Sequence, residues 1–231
     1  MSKKNMRKNS LMEYKAVIFD LDGTLYYQKP FRIRMMCYLM THIITHPSSI
    51  KDMFLIKKYR EIREDWETYE KQMSFDKALS LDDRQYEYVA RKKGVSAKRV
   101  KNAVEFFMLE APLSLLPSYK DEMLGEIIDR LRAEGIKIIV YSDYPVENKL
   151  AALKIKADAC FTSADKDIGC MKPDPKGLAH ILKSLNLDKS SAIMIGDRYE
   201  KDGLAAIGNE MDYVILESSK KEREKTISEL I

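Results

Sequence analysis

The sequence predicts an α/β fold, in which helices cover both faces of a parallel sheet and an all-helical segment is inserted after the first strand. From residue 117 onward, short apolar strand candidates alternate with helical segments. Strands that are apolar throughout are typical of parallel sheets buried on both faces. A similar strand near the N-terminus is separated from the others by a helical stretch of roughly 80 to 90 residues, which is a plausible small-domain size and too long for a loop.

The composition is that of a globular chain. Of the 231 residues, 45% are hydrophobic and 33% are charged, which does not fit a disordered protein. The 40 basic and 36 acidic residues leave a net charge of only +4, which alone does not indicate a nucleic-acid partner. The three cysteines, Cys37, Cys160 and Cys170, show no CxxC spacing. They suggest neither a disulfide framework nor a zinc site, and they fit a reducing intracellular compartment.

The N-terminal ten residues are basic but are not followed by the apolar region of a secretory signal. We therefore predict a frayed, solvated tail. The most lipid-like run, residues 35–44, is interrupted by Thr41 and His42 and is too short to span a bilayer. These features predict a cytoplasmic protein with no membrane or nucleic-acid partner. They do not predict an oligomeric state.

The first strand is the apolar run that begins at Ala16 and leads directly into Asp20, Asp22 and then Gly23 and Thr24. Two β-branched residues and an aromatic residue indicate a buried strand. Two carboxylates at the end of such a strand are either an ordinary turn or the start of a catalytic and metal-binding site. Residues further along the sequence distinguish between these two interpretations.

The helical insertion contains helices predicted over 31–45, 50–71, 82–93 and 96–109, with Ser96 as a candidate N-cap. We expect Met35, Met36, Met40 and Trp66 to lie in its core. His42 and His46 are spaced i, i+4, but they lack an acidic partner motif and are not predicted to bind metal. The start of the insertion is rich in basic residues and has a single acidic neighbour, Asp52, and we predict that it forms a solvated face. The alternative is that Arg32 or Arg34 faces the substrate. The basic residues are Lys29, Arg32, Arg34, Lys51, Lys57, Lys58 and Arg60.

The second half of the chain alternates helices and strands. Helices are predicted over 119–133, 146–153, 175–185, from 198 to about 207, and at the C-terminus, and strands over 136–141, 159–162, 192–195 and 213–216. Asp174 is a possible N-cap of the helix over 175–185. The predicted domains are an α/β core formed by residues 1–26 and 117–231 and a helical insertion over residues 27–116.

Three of the predicted strands end in polar residues. The first ends in Asp20 and Asp22, the second in Ser142, and the third in Asp197, which is followed five residues later by Asp202. The carboxyl ends of parallel strands meet at one edge of a sheet, so these groups can share a pocket. Carboxylates gathered there would repel by roughly 4 kcal/mol per pair at 4 Å and an effective dielectric near 20. Such a group requires a cation or raised pKa values.

The available ligands are hard oxygens without histidine or cysteine, which favours magnesium over zinc. Magnesium usually keeps several waters and binds a substrate phosphate. Lys172, on the loop that precedes Pro173, and Ser142 would supply hydrogen-bond donors for such an anion. Each feature alone has an ordinary explanation, as a turn, a helix cap or a surface lysine.

Together, four ordered segments resemble the motifs of the haloacid dehalogenase-like (HAD) hydrolase superfamily: residues 20–25 (DLDGTL), Ser142, Lys172 with Pro173, and residues 196–202 (GDRYEKD). The resemblance covers about 140 residues of the α/β part. It implies a Rossmann-like three-layer α/β/α core. The helical insertion directly after the first motif looks like the C1-type cap of that superfamily.

The resemblance also implies a mechanism. Asp20 would be the nucleophile that forms an aspartyl-phosphate, and Asp22 would be the general acid and then the general base. Mg²⁺ would bind through Asp20, the backbone carbonyl of Asp22, and Asp197. Asp202 would either bind the ion directly or lie next to the residues that do. The phosphoryl oxygens would be held by Thr24, which also fixes the loop, by Ser142 and by Lys172.

The function that follows is a magnesium-dependent phosphatase acting on a small phosphorylated metabolite. A phosphomutase of the same superfamily, acting on a sugar phosphate, is the nearest alternative and is not separated by these motifs. A dehalogenase fits less well, because carbon–halogen displacement needs no acid in the place of Asp22. A non-catalytic binding or regulatory protein that uses the basic face of the insertion is the alternative from another class.

Overall fold

A computed structural model describes residues 4–76 and 78–231 of the chain. The described residues form two compact units, which are considered separately. The first unit contains the chain up to Phe31 together with Leu116–Ile231, and the second contains Arg32–Leu115. Every helix among the described residues is too short or too polar to cross a lipid bilayer.

The first unit is built on a six-stranded sheet with the order β1-β6-β5-β2-β3-β4. The strands are β1 Lys4–Asn5, β2 Ala16–Phe19, β3 Lys137–Ser142, β4 Ala159–Thr162, β5 Ala192–Gly196 and β6 Asp212–Ile215. The α-helices of the two units together are α1 Gln28–Thr45, α2 Ile50–Glu64, α3 Trp66–Glu70, α4 Leu81–Lys93, α5 Ala97–Val104, α6 Glu122–Ala133, α7 Glu147–Leu153, α8 Lys176–Ser184, α9 Leu204–Gly208 and α10 Lys220–Ser228, of which α2 to α5 belong to the second unit. Strands β2 to β6 pair in parallel, and β1 pairs antiparallel with β6.

The central strand β2 is buried on both faces. Its four residues are fully buried, and Ala16 and Ile18 belong to a hydrophobic cluster that includes Leu178 of α8 and Ala205 of α9. Side chains alternate between the two faces of a strand, so Val17 and Phe19 point to the opposite face. Helix α6 packs against β3, and α10 packs against α6. The predicted α/β class with a buried parallel sheet and a Rossmann-like three-layer core is therefore confirmed.

The chain leaves and re-enters the first unit at one place. After β2, Tyr26 forms an isolated antiparallel bridge with Lys120. The Tyr27 amide donates to the carbonyl of Tyr119 at 2.8 Å, and the Asp121 amide donates to the carbonyl of Leu25 at 3.1 Å. These bonds hold the start and the end of the insertion next to the carboxyl end of β2.

The N-terminal segment is ordered from Lys4, so the prediction of a frayed tail is wrong for residues 4–10. Strand β1 pairs with β6, and Ser10 caps a short 3-10 turn with a capping box that includes Glu13. The Arg7 side chain donates through Nε to Asp212 Oδ1 at 2.8 Å. Sequence patterns missed this because a two-residue strand has no periodicity. Residues 1–3 lie outside the described residues.

The second unit is helical over its described residues, in agreement with the predicted pattern. Its helices begin and end with conventional caps in several places: Ser80 caps α4, Ser96 caps α5 through the Arg99 amide as predicted, and Gly94 ends α4 in the left-handed conformation. The helix predicted over 50–71 is interrupted at Asp65, which divides it into α2 and α3.

Two details of the prediction for helix and core residues are wrong. Helix α8 begins at Lys176 with Pro175 at the N-cap, and Asp174 instead accepts the Lys176 amide at 2.8 Å. Met36 and Met40 are 64% and 60% exposed, whereas Met35 and Trp66 are buried as expected. Methionine is apolar, but position on the helix decides its exposure, and both residues lie on the outward face of α1.

Candidate active site

Asp20 lies immediately after β2 and is buried. Its amide donates to the carbonyl of Ile195 on β5 at 2.8 Å, which fixes its backbone. Its carboxylate accepts the Thr24 hydroxyl at 3.1 Å and the Lys172 ammonium group at 2.6 Å. Because two donors hold the side chain from within the same turn and from the loop before α8, it has a defined orientation.

Asp20 shares its surroundings with Asp197 and Asp202. One carboxylate oxygen of each residue lies within 4.8 Å of those of the other two. Burial raises the pKa of Asp20 well above its usual range, only partly opposed by Lys172, and the charges of Asp202 and Asp197 raise it further. Burial, followed by the charge of Asp202, raises the pKa of Asp197 to about 7. Three carboxylates at this spacing, two of them buried and that of Asp197 half-buried, could hold a divalent cation through oxygen ligands.

Lys172 is the cation that offsets this negative charge within the protein. Its ammonium group donates to Asp20 Oδ1 at 2.6 Å and to Asp202 Oδ1 at 2.5 Å. Burial by itself would lower the pKa of Lys172, but the charges of Asp20 and Asp202 outweigh it and raise the pKa well above its usual range. Lys172 therefore stays charged in a buried position.

Two glycines allow the carboxylates to approach the backbone closely. Gly23 has a φ of +105°, and a Cβ atom built on it would lie 2.1 Å from Asp197 Oδ2. A Cβ atom on Gly196 would lie 2.3 Å from the carboxyl carbon of Asp202. The glycines of the DLDGTL and GDRYEKD segments thus have a direct steric reason, since any side chain at these positions would displace an acidic group.

Asp22 has a different environment from Asp20, although only one residue separates them. Its carboxylate accepts two bonds from the Lys149 ammonium group, at 2.6 and 2.8 Å, and the Tyr26 hydroxyl at 2.6 Å. Gln28 donates to its backbone carbonyl at 3.2 Å. Burial alone would raise the pKa of Asp22, but the Lys149 charge and the hydrogen bonds from Lys149 and Tyr26 lower it. The two aspartates therefore have pKa values shifted in opposite directions.

Ser142 is buried at the end of β3, where its hydroxyl accepts the Tyr144 amide at 3.1 Å. The neighbouring Asp143, which the sequence left without a role, accepts the Lys172 amide at 3.2 Å and the Ser163 hydroxyl. These bonds connect the turn after β3 to the loop that carries Lys172. The hydrogen bonds thus join Asp20, Thr24 and Lys172 with Asp202, while Ser142 is engaged in its own turn.

Two residues close to the site were missed by the sequence analysis. Lys149 on α7 is one, and Arg223 on α10 is the other. The buried Arg223 side chain donates to the Gly23 carbonyl at 2.8 Å, to the Thr24 carbonyl, and to the Asp121 carboxylate at 2.5 Å. Both residues act across more than 100 positions in the sequence, and no local pattern indicates their partners.

The sequence profile of the haloacid dehalogenase-like hydrolases matches residues 14–208. The chain belongs to this family. The family match spans both units and includes each of the aspartates described above. The resemblance derived from the four motifs is therefore confirmed. A comparison with curated proteins gave no match.

Solved structures of similar fold include HAD-like hydrolases of several kinds. The HAD-hydrolase YfnB from Bacillus subtilis, solved bound to magnesium, is 14% identical with a TM-score of 0.62, and the match covers 94% of this chain and 99% of YfnB. The 2-haloacid dehalogenase from Pseudomonas syringae pv. Tomato is 17% identical with a TM-score of 0.60, covering 88% and 86%. A predicted phosphoglycolate phosphatase from Haemophilus somnus is 17% identical with a TM-score of 0.54, covering 90% and 87%. At these identities the similarity establishes the fold alone.

Proposed function

We propose that this HAD-like hydrolase is a magnesium-dependent phosphatase that acts on a small phosphate monoester through an aspartyl-phosphate. The observation that carries the proposal is the pairing of two aspartates with opposite environments. Asp20 lies among other carboxylates and is oriented by Thr24 and Lys172, whereas Asp22 is held by Lys149 and Tyr26. Carboxylates whose environments push their pKa values apart are suited to different catalytic roles.

In the first step, an Asp20 carboxylate oxygen attacks phosphorus while the bond from phosphorus to the ester oxygen breaks. The departing alkoxide takes a proton from the carboxyl group of Asp22, which Lys149 and Tyr26 orient and which the second step protonates again. In the second step, water attacks the same phosphorus atom, Asp22 accepts a proton from that water, and the Asp20 carboxylate is released. The products of the two steps are the alcohol and inorganic phosphate.

The donor set fits magnesium. Asp20, Asp197, Asp202 and the backbone carbonyl of Asp22 would hold the ion, with Asp202 also bonded to Lys172. When bound, magnesium supplies a positive charge that polarises the phosphoryl oxygens and offsets the crowded carboxylates. The raised pKa values of Asp20 and Asp197 support this assignment, because they arise first from burial and then from the neighbouring carboxylates, and a bound cation would offset both effects.

The phosphoryl oxygens would be bound by Lys172, Ser142 and Thr24. Lys172 is positioned for this role because its ammonium group lies beside the nucleophile at 2.6 Å. The Ser142 hydroxyl accepts a bond from the Tyr144 amide and so keeps its own proton available for an anion. We also propose that the helical segment, residues 27–116, is a cap domain. A phosphatase is favoured over a dehalogenase because halide leaves as a stable anion and needs neither Asp22 nor the two further carboxylates of Asp197 and Asp202.

The test is hydrolysis of para-nitrophenyl phosphate by the full chain in the presence of magnesium. We expect release of inorganic phosphate that stops when the metal is chelated and resumes when magnesium is restored. Asp20→Asn should abolish turnover, and the matched variant Asp129→Asn, on an exposed position of α6, should retain it. Full activity in Asp20→Asn, or activity insensitive to chelation, would overturn the proposal. A panel of sugar phosphates, nucleotides and phosphoglycolate would then identify the substrate class.

A further inference from the structure

The second unit exposes an apolar stripe on α1. Ile33, Met36, Met40 and Ile44 are 68%, 64%, 60% and 76% exposed. An α-helix turns by about 100° per residue, so these four side chains fall within a stripe about 80° wide. A helix that is apolar on its inner and outer faces is normally buried. The outer face of α1 is therefore a surface that a partner would cover.

Exposed apolar side chains are concentrated in this part of the chain. Six of the nine large hydrophobic residues that are exposed among the described residues lie between positions 33 and 54, since Ile50 and Phe54 of α2 add to the four on α1. Phe54 is 61% exposed. Single exposed apolar residues are ordinary, but a continuous stripe usually marks an interaction surface.

The positive excess of the same segment is larger than that of the whole chain. Residues 29–60 contain seven lysines and arginines and one acidic residue, whereas the whole chain has 40 basic and 36 acidic residues. That acidic residue, Asp52, is already paired with Arg99 at 2.7 Å. Arg32 and Arg34 are exposed and stand on either side of Ile33 in the sequence, so they are rotated from it by about 100° in opposite directions and lie outside the stripe. The basic groups thus flank the apolar stripe directly.

We propose that this stripe binds the surface of an anionic lipid bilayer, with Ile33, Met36, Met40 and Ile44 inserted among the headgroups and Arg32 and Arg34 contacting the anionic lipids. An apolar stripe flanked by basic residues is the arrangement of helices that lie in the membrane interface. A second copy of this chain would bring two positive faces together and is disfavoured by charge. Nucleic acid would use the basic residues but would leave the apolar stripe exposed. The proposal differs from the sequence-based expectation of no membrane partner, which stays untested, and it is independent of the catalytic assignment.

The experiment is flotation of the full chain with vesicles of phosphatidylcholine alone or of phosphatidylcholine mixed with phosphatidylglycerol. We expect binding to the mixed vesicles, weaker binding to the neutral ones, and a loss of binding at high salt. Arg32→Gln with Arg34→Gln should weaken binding to mixed vesicles about 25-fold, at about fivefold per basic residue. Met36→Gln with Met40→Gln should weaken it by roughly tenfold or more.

Matched control variants remove basic or apolar side chains at exposed positions outside the stripe. Lys98→Gln with Lys156→Gln removes two exposed charges, and Ile207→Gln removes an apolar residue that is 42% exposed on α9. We expect all three control positions to leave vesicle binding unchanged, with circular dichroism confirming that each variant is folded. Three results would overturn the proposal. One is a wild-type chain that does not float with mixed vesicles at low salt, and another is vesicle binding that survives Met36→Gln with Met40→Gln. The third is a dimer that these two substitutions dissociate, since a second copy would then cover the stripe.

Discussion

Two lysines set the charges of the candidate active site. Lys172 lies between Asp20 and Asp202, and its ammonium group is within 2.6 Å of both carboxylates. Lys149 makes the corresponding pair with Asp22. Each lysine is buried, and burying an ammonium group is costly unless it is paired in this way. Each aspartate of the DLDGTL segment therefore has its own cation, which separates their chemical roles.

Lys149→Met should change the pH dependence of turnover. Without Lys149, the largest effect that opposes burial is lost, so the pKa of Asp22 rises although Tyr26 and Lys172 still lower it. If Asp22 donates the proton to the leaving group, kcat/KM falls as pH increases through its pKa, so the descending limb should move to higher pH in the variant. The pH profile of kcat/KM for an aryl phosphate measures this. Lys149→Arg should keep the wild-type profile, and so should Lys156→Met on the exposed surface. An unmoved descending limb in Lys149→Met would contradict the role assigned to the pair.

At the scale of residues, the sequence predicted only those site residues that belong to a local sequence motif. Asp20, Asp22, Asp197 and Asp202 were predicted because they follow apolar strands at recognisable spacing. Lys149 was missed because its partner lies 127 positions away and the residue itself sits in an ordinary amphipathic helix. The residues around Lys149 show the pattern of a helix and no catalytic motif. The pairing arises from the fold and is visible only there.

The turn between β2 and α1 is the element that organises the site. It places Asp20 and Asp22 on opposite sides of Leu21, brings Thr24 back to Asp20, and passes Gly23 directly beneath Asp197. Arg223 fixes the same turn from the C-terminal helix by binding two of its carbonyl groups. Backbone hydrogen bonds and a buried arginine thus hold the turn in the conformation that the carboxylates require.

Gly23→Ala should damage the site more than the fold. The new methyl group would meet the Asp197 carboxylate, and the φ of +105° is unfavourable for alanine. We expect at least about 100-fold lower activity, since a displacement of about 1 Å at a catalytic group can cost that much. The matched variant Gly94→Ala also occupies a left-handed position but has no atom within 4 Å of the new methyl group. It should lose about 1–2 kcal/mol of stability and keep its activity.

Thermal melts and phosphate release, measured on both glycine variants, separate the two effects. An equal loss of activity in both variants would show that backbone strain alone explains the result.

At the scale of helices and strands, the sequence predicted the existence and order of the main elements. It did not predict the break at Asp65 or the outward face of α1, because both depend on which side of a helix the neighbouring elements cover.

The whole first unit is closed by its N-terminal segment. Strand β1 adds an antiparallel edge to β6, and the buried carboxylate of Asp212 on β6 binds the segment that follows β1. Asp212 accepts the Tyr14 hydroxyl at 2.5 Å, the Arg7 amide at 3.0 Å and the Arg7 side chain at 2.8 Å. Burial alone would raise the pKa of Asp212, but the bonds from Tyr14 and Arg7 outweigh it and lower the pKa. The segment that begins at Lys4 is thereby part of the folded unit.

Asp212→Asn should lower the free energy of unfolding by about 1–3 kcal/mol at pH 7, because hydrogen bonds to a charged group are lost. The folded-state pKa of Asp212 lies below its ordinary value of about 3.9, so its stabilising contribution is complete above that pH and is lost as pH falls through the folded-state pKa. The difference between wild type and variant should therefore shrink below about pH 4. Urea denaturation at several pH values measures it, with Asp129→Asn as control. A difference that stays constant down to acidic pH would contradict this assignment.

The topology of the whole molecule was largely predictable, since alternating apolar strands and helices leave few arrangements of a parallel sheet. The antiparallel edge strand was not predictable, because Lys4–Asn5 is short, polar and stabilised by a residue more than 200 positions away. The same limit applies to the apolar stripe on α1. Its composition was visible in the sequence, but its exposure depends on the rest of the fold.

The central claim is that Asp20 is the nucleophile, and its most direct test is to identify the phosphorylated residue. The full chain is mixed with para-nitrophenyl phosphate and magnesium, quenched in acid during turnover, digested and analysed by mass spectrometry. We predict a single phosphoryl group on the peptide that contains Asp20, and its absence from Asp20→Asn. Phosphorylation at another residue, or turnover in Asp20→Asn without any phosphorylated peptide, would contradict the account.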